Sequence, residues 1–277
     1  MSVRVGLALL KAELSKAWAR PILEVTIALM AILSVASIRP LTEIYSQSDF
    51  STAFQSIVAE SVSATMTSLM LPLVLMCAVL MSLSFARDYE SGLMQSLLSV
   101  PVSRSLFFTV KFVAVILPLA LLSWFFSVFF VGITFYSSPW IVLQFSFYVL
   151  PVSVLALMFC GGIGVLVALL IKRTIPSVLT TLIANFFFWF ICSMESEYVY
   201  RSFGANFANY VCLAPFKSSL VFLDKLLGIQ HSVSSSLIDP LVSSFSVGSF
   251  GILVVFWACV LVVPMVVYFS RRFEICD

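Results

Sequence analysis

Six intervals of the chain are almost continuously apolar, and the polar residues gather in the gaps between them. The apolar intervals cover residues 22–38, 62–83, 106–131, 149–171, 176–194 and 249–269. Each approaches or exceeds the roughly 20 apolar residues that carry a helix across a bilayer. A helix is the form expected of them, because it satisfies every backbone group within the segment. Residues 1–20 follow a different pattern. At about 100° per residue, Val3, Leu7, Leu10, Leu14, Ala17 and Trp18 fall in one arc, and Arg4, Lys11 and Lys16 fall outside it. This predicts an amphipathic helix lying in the membrane interface, its basic residues toward lipid headgroups. Pro21 then sets a turn at the head of the first span.

The gaps predict the loops. Residues 39–61 are polar, carry Glu43, Asp49 and Glu60, and read as the first external loop. Residues 84–104 carry Arg87, Asp88, Glu90 and Arg104 and separate spans 2 and 3. The gap at 132–140 has no charge, and Trp140 suits the level of the interface. Lys172-Arg173 closes span 4 in a tight turn before Pro176, and Arg271-Arg272 closes span 6. Residues 195–247 form the longest loop. They mix charges with apolar runs and are expected to carry short helices over the outer face.

Composition removes the soluble alternatives. Apolar residues make up 61% of the 277 and charged residues 10%, against about 25% charged in soluble domains. The spans leave no room for a separate soluble domain, so residues 1–277 read as one membrane domain. The net charge of +2 points to no nucleic-acid partner. Its distribution says more. Six spans put both termini on one side, together with Arg4, Lys11, Lys16, Arg20, Arg87, Arg104, Lys111, Lys172, Arg173, Arg271 and Arg272, eleven of the 15 Lys and Arg. The positive-inside rule makes that side the cytoplasm of a multi-pass cell-membrane protein. The first apolar interval has no small-residue cleavage site and is expected to stay in the membrane.

Candidate chemistry is sparse. The one histidine, His231, falls in the outer loop, which argues against zinc hydrolysis of the H-E-x-x-H type. No G-x-x-x-x-G-K-[ST] run is present to cradle a nucleotide. The six cysteines show no metal spacing, though Cys192 and Cys212 fall close enough to the outer face to pair. Glu24 reads as an ion-coupling carboxylate or as the partner of Arg20 one turn earlier, and its place at the span's end favours the pair. Catalytic and metal-binding residues are therefore expected to be absent. Inside the spans, Cys160 and Gly164 give span 4 a small-x-x-x-small face, and Gly161 and Gly164 are candidates for close helix packing, a hinge or the pathway. Asn185 in span 5 offers an interhelical hydrogen bond or a solute contact.

One stretch is distinctive. Glu90-Ser91-Gly92, then Leu97-Leu98-Ser99, Pro101-Val102-Ser103-Arg104 and Lys111-Phe112-Val113-Ala114, resembles the signature of type-2 ABC transporter permeases. The family pattern runs E-x-G-T-L-x-x-L-L-S-x-P-V-S-R and then G-K-F. Leu93 stands where Thr is common. Lys11-Ala12-Glu13-Leu14 with Arg20-Pro21 resembles the family's elbow helix.

The resemblance implies an all-α integral membrane protein: six transmembrane helices, an N-terminal elbow helix over residues 1–20, and a cytoplasmic coupling helix between spans 2 and 3. It implies the permease subunit of an ATP-driven exporter, with no cofactor on this chain and with ATP and magnesium on a separate ATP-binding cassette subunit. A second permease copy or a homologous permease would complete the path. Phe85, Tyr89, Leu93 and Leu97, four residues apart, would form one apolar ridge for a groove in the ATPase, or a face lying on lipid. Arg87, Asp88, Glu90, Gly92 and Arg104 would surround the ridge. The rivals are a complex that transmits force to an external partner without transporting, and a secondary carrier. The carrier would need a deep charge that the spans lack.

Overall fold

A computed structural model describes residues 3–19, 22–32, 54–92, 103–134, 139–193, 202–227 and 246–271. In chain order the helices are α1 (Val3–Ala17), α2 (Ile22–Ile32), α3 (Phe54–Glu90), α4 (Arg104–Thr134), α5 (Pro139–Ile171), α6 (Thr174–Ser193), α7 (Ala205–Cys212), α8 (Pro215–Leu226) and α9 (Val247–Arg271). Among the described residues there is no strand. Five helices, α3, α4, α5, α6 and α9, are long and apolar enough to cross a membrane, and α2 is a shorter apolar helix. The rest of the first expected span, residues 33–38, lies outside the described residues, as do Arg20, Pro21 and any Arg20–Glu24 pair.

Helices α3, α4 and α9 outrun their apolar intervals at both ends, and α5 does so at its start. Residues 54–61, expected in the first external loop, already belong to α3. Pro139 and Trp140, expected in the second loop, open α5. Hydrophobicity marks the part of a helix that lipid can cover, whereas backbone hydrogen bonding carries the helix on into the interface. Pro72, Pro118, Pro151 and Pro264 sit inside α3, α4, α5 and α9. Such prolines are tolerated in spans where neighbouring groups take over the freed carbonyl.

Helix α5 is the hub of the bundle and packs on α3, α4, α6, α8 and α9. Its glycines account for that. A Cβ on Gly161 would come within 3.0 Å of Met81 Cε and 3.1 Å of Ile116 Cδ1, on α3 and α4. One on Gly162 would lie 2.8 Å from Leu261 Cβ on α9, and one on Gly164 2.8 Å from Met81 Cβ and 3.5 Å from Thr181 Cγ2 on α6. Three glycines within four residues thus admit four neighbouring helices, the close approach that replaces a hydrophobic driving force inside a bilayer. Two thiols cross the α3–α5 contact, Cys160 donating to the Val74 carbonyl and Cys77 to the Leu157 carbonyl.

The long outer loop does carry short helices, but α8 is part of the bundle. Phe216 and Leu223 are buried, Phe216 edge-on to Phe159 of α5. Trp257 of α9 donates its indole N–H to the Leu213 carbonyl at 2.9 Å. Cys212 is a buried thiol grouped with Val221 and Phe250.

Candidate functional site

The charged gap after span 2 was expected to fold as a separate helix. Over residues 84–90 it is instead the last two turns of α3. The helix stops where Gly92 adopts φ +70°, a left-handed backbone that favours glycine, with the Gly92 N–H donating to the Tyr89 carbonyl. Helix α4 begins after Ser103, whose carbonyl accepts from the Phe107 N–H. Leu93, Leu97 and Pro101 lie outside the described residues.

This end of α3 is joined to three other helices. Asp88 is fully buried and divides its carboxylate between two lysines, Oδ1 to Lys16 of α1 and Oδ2 to Lys111 of α4. Lys111, also fully buried, donates to the Ser84 carbonyl at 2.7 Å and lies 3.6 Å from Glu13 Oε2. Its ammonium sits 5.3 Å from the ring centroids of both Phe85 and Phe107, where aromatic faces attract a cation. Two lysines and two carboxylates make the cluster neutral. Buried charges are tolerated only when paired and hydrogen-bonded in this way. Beside the cluster, Trp18 donates its indole N–H to the Ala114 carbonyl at 2.9 Å and fastens the end of α1 to α4.

The third joint is at the tip. Glu90 accepts from the Thr174 backbone N–H at 3.0 Å and from the Thr174 hydroxyl. Thr174 opens α6, so the carboxylate of one span caps the N-terminus of another, where unpaired N–H groups and the helix dipole favour an anion. The α5–α6 hairpin brings Thr174 there through Lys172, which takes φ 55°. A left-handed backbone outside glycine costs about 1 kcal/mol.

These contacts redistribute the expected partner surface. Phe85 is fully buried, its ring 5.7 Å from Phe108, and has no surface left for a ridge. Asp88 is likewise occupied inside the chain. Tyr89 is half-buried against the core, while Arg87, Glu90, Gly92 and Arg104 are exposed, as are Lys172 and Arg173. The ridge expectation failed at Phe85 because four-residue spacing on an apolar helix serves a neighbouring span as readily as a partner.

Sequence reasoning also misplaced α1. Leu9, Ala17 and Trp18 pack on the core and Glu13 is buried, whereas Leu7 is 60% exposed. Lys16, expected among headgroups, reaches inward to Asp88. The overlooked signal was charge balance: Asp88 and Lys111 flank one loop at the mouths of two spans, and neither is stable there alone.

Asn185 donates to the Thr181 carbonyl of its own helix at 3.1 Å, and its Oδ1 has no hydrogen-bond partner. Gly161 and Gly164 stand at the helix crossings described above.

A helical bundle with five apolar helices of spanning length defines a multi-pass membrane protein. Residues 9–191, well over half of the chain, match the family described as ABC-2 family transporter protein. The chain belongs to that family, a membrane component of transport that is not itself catalytic. No curated protein matches it.

Proposed function

We propose that this chain is the permease subunit of an ATP-driven exporter, energised by a separate ATP-binding cassette subunit that docks at the Glu90 end of α3. That end faces the cytoplasm with both termini, consistent with its share of Lys and Arg. A second copy or a homologous permease completes the path, and ATP and magnesium stay on the partner. Among the exposed residues there, Arg87, Glu90, Gly92 and Arg104 form the docking surface, with residues 93–102 between them.

The observation that supports this reading is the triple joint. Lys16, Lys111 and Thr174 tie the last turns of α3 to α1, α4 and α6. A displacement applied to the loop after α3 is therefore passed directly to four helices, as an engine outside the chain requires.

Purification and co-reconstitution with an ATP-binding cassette ATPase that co-purifies with the chain tests the proposal. ATP-dependent movement of solute is expected. Transport without any ATPase, or ATP hydrolysis that moves an external partner but no solute, overturns it. Glu90→Ala is expected to reach the membrane normally and to hydrolyse ATP with little transport, because α6 is no longer held to the driven end. Wild-type transport by Glu90→Ala with unchanged ATPase binding places the coupling contact elsewhere.

A further inference from the structure

The contact between α3 and α6 is more polar on the α6 side than on the α3 side. Two bonds define its register. Glu90 meets Thr174 at one end, and Ser82 Oγ donates to Thr181 Oγ1 at 2.8 Å about two turns farther in. The helices are therefore antiparallel, and with a rise of about 1.5 Å per residue Ser177 falls opposite Ala86 and Asn185 opposite Ala78. On α6, Ser177, Thr181, Asn185 and Trp189 recur every fourth residue and form one slowly turning stripe. Ser177, Thr181 and Asn185 are fully buried. On α3 the facing positions Ala78, Ser82 and Ala86 are small and also buried, and only Ser82 can return a hydrogen bond.

The stripe is consequently unmatched. Ser177 Oγ, Asn185 Oδ1 and Trp189 Nε1 are the three buried side-chain polar atoms without a hydrogen-bond partner among the described residues. They lie on one helix, at three of four successive stripe positions. Inside a bilayer no bulk water can make good the loss, and each unmet group disfavours the arrangement that buries it. Packing alone would be better served by alanine or leucine at these positions. Helix α6 meets α3 more extensively than it meets any other helix, and most of its remaining surface faces away from the chain. Gly164, beneath the crossing, gives Met81 and Thr181 room without bracing them.

We propose that the α3–α6 seam parts during the transport cycle and that Ser177, Thr181, Asn185 and Trp189 then line an aqueous path for uncharged, hydrogen-bonding groups such as hydroxyls and amides. The closed seam is the arrangement in which these groups are unmet, and the open seam is the one that satisfies them. The stripe carries no charge, so it selects for hydrogen-bonding capacity and not for an ion. The Glu90–Thr174 joint at the foot of both helices connects the seam to the driven end. This inference rests on the ATP-driven reading for what opens the seam, and on the unmatched atoms for where it opens.

The test is labelling with a charged, membrane-impermeant maleimide in membranes that contain the chain and its ATPase. Single cysteines replace Ser177, Thr181 or Asn185 in a background whose own cysteines are alanine. Labelling is scored without nucleotide, with ATP, and with the ATPase trapped by vanadate. The stripe positions are expected to label in at least one state, and a cysteine at the equally buried Val115 of α4 in none. A stripe silent in every state, or no more reactive than Val115→Cys, overturns the proposal and leaves its polar groups to a fixed internal water. Labelling that ignores nucleotide keeps the aqueous seam and counts against the ATP-driven reading, so the two fail separately.

A second measurement needs no cysteine background. Asn185→Leu removes the unmet oxygen, together with the Nδ2 donor to the Thr181 carbonyl, while keeping the branched outline of the side chain. It is expected to raise the melting temperature of the purified protein while lowering transport on the order of tenfold, the effect of one lost hydrogen bond. A lowered or unchanged melting temperature, or unchanged transport, overturns the proposal.

Discussion

Helix α3 makes two polar contacts that differ in one respect. At its Glu90 end, Asp88, Lys111, Lys16 and Glu13 form a neutral cluster in which each charge faces an opposite one. Farther along it meets α6, a helix that carries three buried polar atoms with no hydrogen-bond partner. A fully satisfied network is rigid, because any displacement leaves a charge alone in a low dielectric. A half-satisfied seam gains by opening. The same helix therefore combines a stiff joint with a yielding one. Under the proposed function the stiff joint would receive force, and under the proposed opening the yielding one would part.

The comparison breaks most visibly at Lys111. Lys111→Met leaves Asp88 with Lys16 alone and Glu13 without a buried partner. A loss of about 3–5 kcal/mol is expected, seen as a collapse of folded yield and of the thermal transition in detergent. Adding Asp88→Leu and Glu13→Leu should recover most of it, since a buried ionic network replaced whole is close to neutral. A single Lys111→Met as stable as wild type would mean that the cluster is no clamp.

Next come the glycines of α5. Gly164→Ala drives a Cβ to within 2.8 Å of the stiff Met81 Cβ, beneath the seam, whereas Gly161→Ala meets the flexible tips of Met81 and Ile116. Overpacking costs about 1–3 kcal/mol, and Gly164→Ala should lie toward the upper end, Gly161→Ala toward the lower. Equal melting temperatures for the two variants would show that α3 shifts freely at the crossing. The smallest effect is expected at Trp18. Trp18→Phe removes one hydrogen bond, worth about 1 kcal/mol, and should speed proteolysis near α1 while leaving the bundle's thermal transition nearly in place.

Five of the six expected spans were legible, because bilayer thickness acts on each segment by itself. The loop ends were less so: α3 starts at Phe54, inside the expected loop, and the coupling segment begins as the end of α3. The motif around Glu90 did not reveal the contacts its residues make within the chain. Glu90 caps α6 through Thr174, and Phe85 lies beneath Lys111. Both partners are far away in sequence, and no local pattern names them.

By itself, then, the sequence determined that this chain is helical, that it belongs in a membrane, and to which family its motif points. Those properties depend on apolar length and on short runs of adjacent residues. Tertiary structure alone decided which faces of the helices meet. In a bilayer a helix is apolar toward lipid and toward its neighbours alike, so the period of hydrophobic residues that betrays the buried face of a soluble helix is silent here. Only the folded chain brings Asp88 between Lys16 and Lys111, and only there does the Ser177–Thr181–Asn185 stripe face residues too small and too apolar to answer it.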